Sequence, residues 1–156
     1  MAPNRTTNEW TLWVVAAACA FHAAEEFLTG WQEWARTALG IVMPSGIFVA
    51  ANGFLVLMAV LTARVGWRRP ALSLLIPSAT LVNAAVFHIA PAIVEGRAVP
   101  GLYTAVFLYL PFSSWALAGA IRDGAAPRTV GKAFAGGTLM MMSVFSAARL
   151  AGGAAG

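Results

Sequence analysis

Long apolar runs separated by short polar loops constrain this chain more than any other feature. Residues 11–29, 43–64, 71–94, 101–121 and 129–149 are each about as long as a helix needs to be to cross the hydrocarbon core of a bilayer. Inside lipid every backbone amide must be satisfied within its own segment, so runs of this kind fold as helices. The sequence therefore predicts an all-α membrane protein, a bundle of about five transmembrane helices. Residues 31–39 form a shorter piece between the first two spans. Trp31, Trp34, Ala35, Ala38 and Leu39 share one face at helical spacing, which predicts a short helix lying in the membrane interface. No soluble appendage or internal repeat is visible, and residues 1–156 read as a single transmembrane helical domain.

Composition agrees with that reading. Hydrophobic residues make up 60% of the chain and charged residues 10%, too few to keep a domain of this size dispersed in water. The net charge of +4 comes from basic residues scattered over the loops, without the stripe that nucleic-acid binding needs. They read instead as topology signals. Arg5, Arg64, Arg68, Arg69, Arg122, Arg128 and Lys132 fall on one side, and Arg36, Arg97 and Arg149 on the other. The positive-inside rule then places the N-terminus in the cytoplasm of a bacterial-type membrane, with the C-terminus outside. The first run has some features of a secretory signal, including Ala16–Ala18 before Cys19, but the charged residues just beyond favour a retained helix. Cys19 is the sole cysteine, so no internal disulfide or cysteine-based zinc module is available.

Ionisable groups inside a span are costly and usually functional. His22, Glu25 and Glu26 stand at i, i+3 and i+4 in the first run, near one helical face, and His88 lies in the third. At about 1.5 Å per residue, all four fall in the outer half of the bilayer at overlapping depths. Their chemistry suits a catalytic site. Asn52, Asn83, Tyr103 and Arg149 are candidate supporting residues. Pro91 frees the Phe87 carbonyl as a further acceptor beside His88.

The run His22-Ala23-Ala24-Glu25-Glu26 resembles the signature of the HXXEE family of small integral membrane proteins. That family adds an NAxxH motif on a later helix and a YxPG motif before the next. Here the second resembles residues 82–88, ending in His88, and the third resembles Ala98-Val99-Pro100-Gly101. The resemblance covers roughly residues 11–121 and implies an enzymatic role for these polar motifs, without naming a substrate. Two positions depart from the pattern. Ala84 stands where the family has asparagine, and Ala98 where it has tyrosine. Asn83, five residues before His88, would sit about 140° from it on an α-helix.

Two chemistries suit such a site in an enzyme acting on a lipophilic small molecule. His22, Glu25 and His88 are suitable ligands for a divalent metal. Alternatively a Glu–His pair works as general acid and base. The spacing alone does not demand a metal and leans toward the second. A non-enzymatic alternative is a proton or solute transporter, or a lipid- or partner-binding protein, whose buried polar groups hold helices together. Serine hydrolysis is disfavoured, since Ser113 and Ser114 lack a GxSxG context. Membrane lipids are the expected surroundings; no nucleic-acid partner is expected.

The basic bias sets a first test. Reporter fusions after Gly124 and after Gly156 should report opposite compartments, inside and outside respectively. Both fusions on one side would remove the fifth span.

Overall fold

The structure, a computed structural model, describes residues 7–153. Arg5, counted in the basic bias, lies outside them. The described residues form six helices and no strand. Five are long and apolar enough to cross a membrane: α1 (Trp10–Leu28), α3 (Ser45–Arg68), α4 (Pro70–Glu95), α5 (Leu102–Arg122) and α6, whose apolar stretch is Pro127–Leu150. The short helix α2 follows α1, running through Trp31–Trp34 and continuing as a π-turn over Ala35–Leu39. The boundaries predicted from the apolar runs lie within about two residues of these, except that α3 ends in a 3₁₀ turn extending to Arg68 and the helix of α6 continues to Gly153.

The helices end where the backbone must reverse. Gly30, Gly40, Gly66, Gly96, Gly101 and Gly124 adopt positive φ, a region that glycine reaches without a Cβ clash. Pro70 starts α4 at a position that needs no amide donor. Tryptophans mark both ends of the bundle, as amphipathic rings do at the two faces of a bilayer. At one end Trp67 Nε1 donates to Asp123 (2.8 Å), Trp115 Nε1 to Asn8 (3.0 Å), and the Trp10 ring meets Trp115 edge-on. At the other, Trp34 Nε1 donates to Glu95 (2.8 Å).

Helix α4 is the centre of the bundle, with 61% of its apolar stretch buried against 11% for α6 and 17% for α3. The outer helices leave Ile47, Leu57, Leu61 and Leu139 exposed, an apolar surface that suits lipid. Where apolar packing gains little over contact with lipid, helices associate through close approach and buried hydrogen bonds. Both devices hold α4. Thr80 and Ser113 share a buried hydroxyl bond of 2.8 Å between α4 and α5. Gly137 of α6 lies against the α4 backbone so closely that a Cβ there would come within 2.6 Å of the Leu75 carbonyl oxygen and 2.8 Å of the Ala79 amide. Ala133, one turn earlier, is also buried.

Because that contact is with backbone, it has little room to adjust. Gly137→Ala should lower unfolding stability in detergent by about 1–3 kcal/mol, the usual cost of overpacking. An unchanged thermal midpoint would show that α6 is loosely docked.

Candidate functional site

The buried stripe of α1 runs through Thr11, Val15, Cys19, His22 and Glu26. It faces α4 and α5, and the polar residues predicted at matching depth meet there. The His22 and His88 rings stand edge to face, 4.7 Å apart, both buried. Glu26 Oε1 lies 3.5 Å from His22 Nε2 and 3.5 Å from His88 Nε2. These three side chains each offer one atom within 4.8 Å of the others.

Glu25, predicted to share a metal with the histidines, is outside that set, and Glu26 takes its position. The reason is helical angle. A residue at i+4 lies about 40° to one side of His22 and a residue at i+3 about 60° to the other, so the two point to different neighbours. Glu25 reaches the start of α5. It accepts from the Tyr103 amide (3.1 Å), the Thr104 amide (2.7 Å) and the Thr104 hydroxyl (2.5 Å). Amides in a helix's first turn have no intrahelical partner, so a carboxylate supplied from α1 caps α5 and faces its positive dipole end.

The outward nitrogen of each imidazole is also committed. His22 Nδ1 lies 2.8 Å from the Thr104 hydroxyl. That hydroxyl's single proton goes to Glu25, so it accepts from His22, whose Nδ1 carries the hydrogen. His88 Nδ1 lies 2.8 Å from the Pro100 carbonyl oxygen, which can only accept. The acceptor beside His88 is thus the carbonyl of Pro100 rather than that of Phe87. Nε2 of each ring then points inward, and both Nε2 atoms are buried without a hydrogen-bond partner, with Glu26 Oε1 3.5 Å from each. A buried acceptor left in that state costs about 1–3 kcal/mol.

Gly101 permits this assembly. Its φ is +83°, and a Cβ there would lie 2.6 Å from His88 Cε1 and 2.9 Å from His22 Cε1. The position excludes larger residues twice, by backbone conformation and by space.

The supporting residues divide. The Asn52 side chain donates to the Phe48 carbonyl of its own helix (3.1 Å) and borders a cavity of about 310 Å³. Asn83 borders the same cavity, and its buried Oδ1 has no hydrogen-bond partner. The α-helical estimate that set Asn83 about 140° from His88 does not apply, because Asn83–Ile89 is π-helical. A π-turn closes after about five residues, the separation between these two. Tyr103 contributes its amide while its side chain is 60% exposed, and Arg149 is exposed on α6. Neither side chain joins the site.

Tyr109 and Thr104 were not anticipated. The Tyr109 ring is buried 4.4 Å from His22. Its only signal was a phenol within an apolar run, six residues from Tyr103. Thr104 gave none. His22, Glu26, Asn52, Asn83 and Tyr109 all border the cavity, whose remaining wall is mostly apolar, with Phe48 and Met58 among its residues.

The family model described as "Protein of unknown function with HXXEE motif" matches residues 13–116, two thirds of the chain, and the protein belongs to that family. No curated protein and no solved structure matches the chain.

The two glutamates should respond differently to conservative change. Glu25→Gln leaves one acceptor oxygen for three donors and should destabilise the protein in detergent by about 1–3 kcal/mol. Glu26→Gln should shift thermal unfolding less. Equal shifts would remove the division of labour between them.

Proposed function

We propose that this HXXEE-family chain is an intramembrane enzyme that acts on a lipophilic small molecule, with Glu26, His22 and His88 as its reactive groups. The supporting observation is the place of the cluster. His22 and Glu26 border a cavity that is otherwise mostly apolar and, at about 310 Å³, of the size that small-molecule sites have. An amphiphile would lay its apolar body along Phe48 and Met58 and bring one polar group to the imidazole and carboxylate. Asn52, Asn83 and Tyr109 border the same space with groups able to orient it by hydrogen bonding.

The residues suit proton transfer at that polar group. A carboxyl and an imidazole 3.5 Å apart can exchange a proton through a bound substrate or a water. With Nδ1 of each ring held by Thr104 or Pro100, Nε2 is the nitrogen free to act. Glu25 acts as a positioning residue through the Thr104 hydroxyl. In this reading the chain crosses a bacterial-type cytoplasmic membrane five times with its N-terminus inside, and the cluster lies toward the outer face.

The test compares lipid-soluble metabolites from membranes carrying wild type or Glu26→Gln at matched protein levels. A species consumed or formed by wild type should change about a hundredfold more slowly with the variant, the scale on which loss of a general acid or base acts. The same conversion should persist in detergent. Identical profiles for wild type and a folded Glu26→Gln would overturn the enzymatic reading. An activity seen only across sealed vesicles would assign solute movement instead.

A further inference from the structure

We infer that His22 Nε2, His88 Nε2 and the Glu26 carboxylate together bind one divalent transition-metal ion in tetrahedral geometry, with zinc the ion they suit. The inference uses the side chains of the proposed catalytic site but does not require that they catalyse anything.

Hydrogen bonding carries the first part of the argument. Both imidazoles spend their Nδ1 hydrogen on a fixed outer acceptor, Thr104 Oγ1 for His22 and the Pro100 carbonyl for His88, each at 2.8 Å. A metal-binding histidine is characteristically held this way, its second nitrogen donating to an outer group that sets tautomer and ring orientation. With Nδ1 spent outward, the inward face gathers three potential ligand atoms: two buried Nε2 atoms without a hydrogen-bond partner and the Glu26 carboxyl. A divalent ion among these atoms would be held by all three at once, where a proton would satisfy one pair.

Distance carries the second part. Ligands at about 2.0–2.1 Å from a tetrahedral zinc ion lie about 3.3–3.4 Å from one another, whereas octahedral neighbours at that bond length lie about 2.9 Å apart. Glu26 Oε1 is 3.5 Å from each Nε2, close to the tetrahedral edge, and the three ligand atoms all lie within 4.8 Å of one another, so a modest closing of the two rings on an ion completes the set. Two imidazoles and one carboxylate form an established zinc donor set that leaves a fourth position open. Since His22 and Glu26 both border the cavity, an ion between them is within reach of a molecule there. Glu25 belongs to the outer layer, fixing Thr104 and through it His22.

The protein should be purified in detergent without a histidine tag or chelator and its metal content measured. It should then be stripped and titrated with Zn²⁺ and with Co²⁺. One ion per chain is expected, with the visible absorption of tetrahedral cobalt. Glu26→Gln should weaken binding at least tenfold, and His22→Ala and His88→Ala should abolish it. Added zinc should raise the thermal midpoint of wild type but not of Glu26→Gln, a comparison that stands even if a histidine variant fails to fold. Glu25→Gln should weaken binding by about 10-fold to 100-fold through the outer layer. Absence of saturable Zn²⁺ and Co²⁺ binding by wild type would overturn the site, as would undiminished binding in folded Glu26→Gln. Turnover by metal-free protein would overturn a metal role in the reaction and leave the acid–base reading standing, whereas stoichiometric zinc without any turnover would support the site and overturn the enzyme.

Discussion

The contact between the Pro100–Gly101 turn and the two imidazoles is the constraint on which the rest of the site depends. Gly101 lies where any Cβ would strike both rings, so the chain comes close enough for the Pro100 carbonyl to take the His88 Nδ1 hydrogen. The same turn starts α5 and brings the Tyr103 and Thr104 amides to Glu25. Thr104 then returns to His22. One short turn thus orients both histidines, caps a helix and occupies one of the two glutamates. A larger residue at Gly101 would disturb all of these together.

That turn joins two helices whose spacing is altered on either side of it. Asn83–Ile89 in α4 and Ala105–Ser113 in α5 are π-helical, and both carry site residues: Asn83 and His88 in one, Tyr109 in the other. Wider turns of this kind often mark functional positions, because they redirect side chains that an α-helix would send elsewhere. Proline is close at hand in each case, with Pro91 shortly after the first and Pro111 inside the second. A proline cannot donate its amide to the helix, so the hydrogen-bond register must adjust there. The distortion also brings residues five apart, such as Asn83 and His88, nearer to one face than an α-helix would.

The fold was legible in the sequence because lipid leaves the backbone few choices. Apolar length gave the helices, and glycine and proline gave their ends. Depth along the first and third spans was enough to anticipate that His22 and His88 meet. Helical angle alone did not assign the glutamates, since Glu25 and Glu26 flank His22 and the difference lies in what each neighbouring helix offers. The outward direction of the Tyr103 side chain was not legible for a related reason. A position at the mouth of a span says little about side-chain direction, whereas Tyr109, six residues deeper, faces the interior. Thr104 was illegible because its role comes from a turn that the sequence shows only as a proline and a glycine.

The paired glutamates of the motif find a physical explanation in this division. A carboxylate placed against two imidazoles is useful only if the rings are held in fixed tautomers, and one acid cannot both face the Nε2 atoms and secure the outer side. Adjacent residues on a helix are about 100° apart, so one can do each task. Glu26, at i+4, joins His88 on the inner side. Glu25, at i+3, reaches the helix start beyond and holds the hydroxyl to which His22 donates. A single glutamate would leave either the two Nε2 atoms without a carboxyl beside them or the Thr104 hydroxyl beside His22 unheld, while Pro100 would still hold His88.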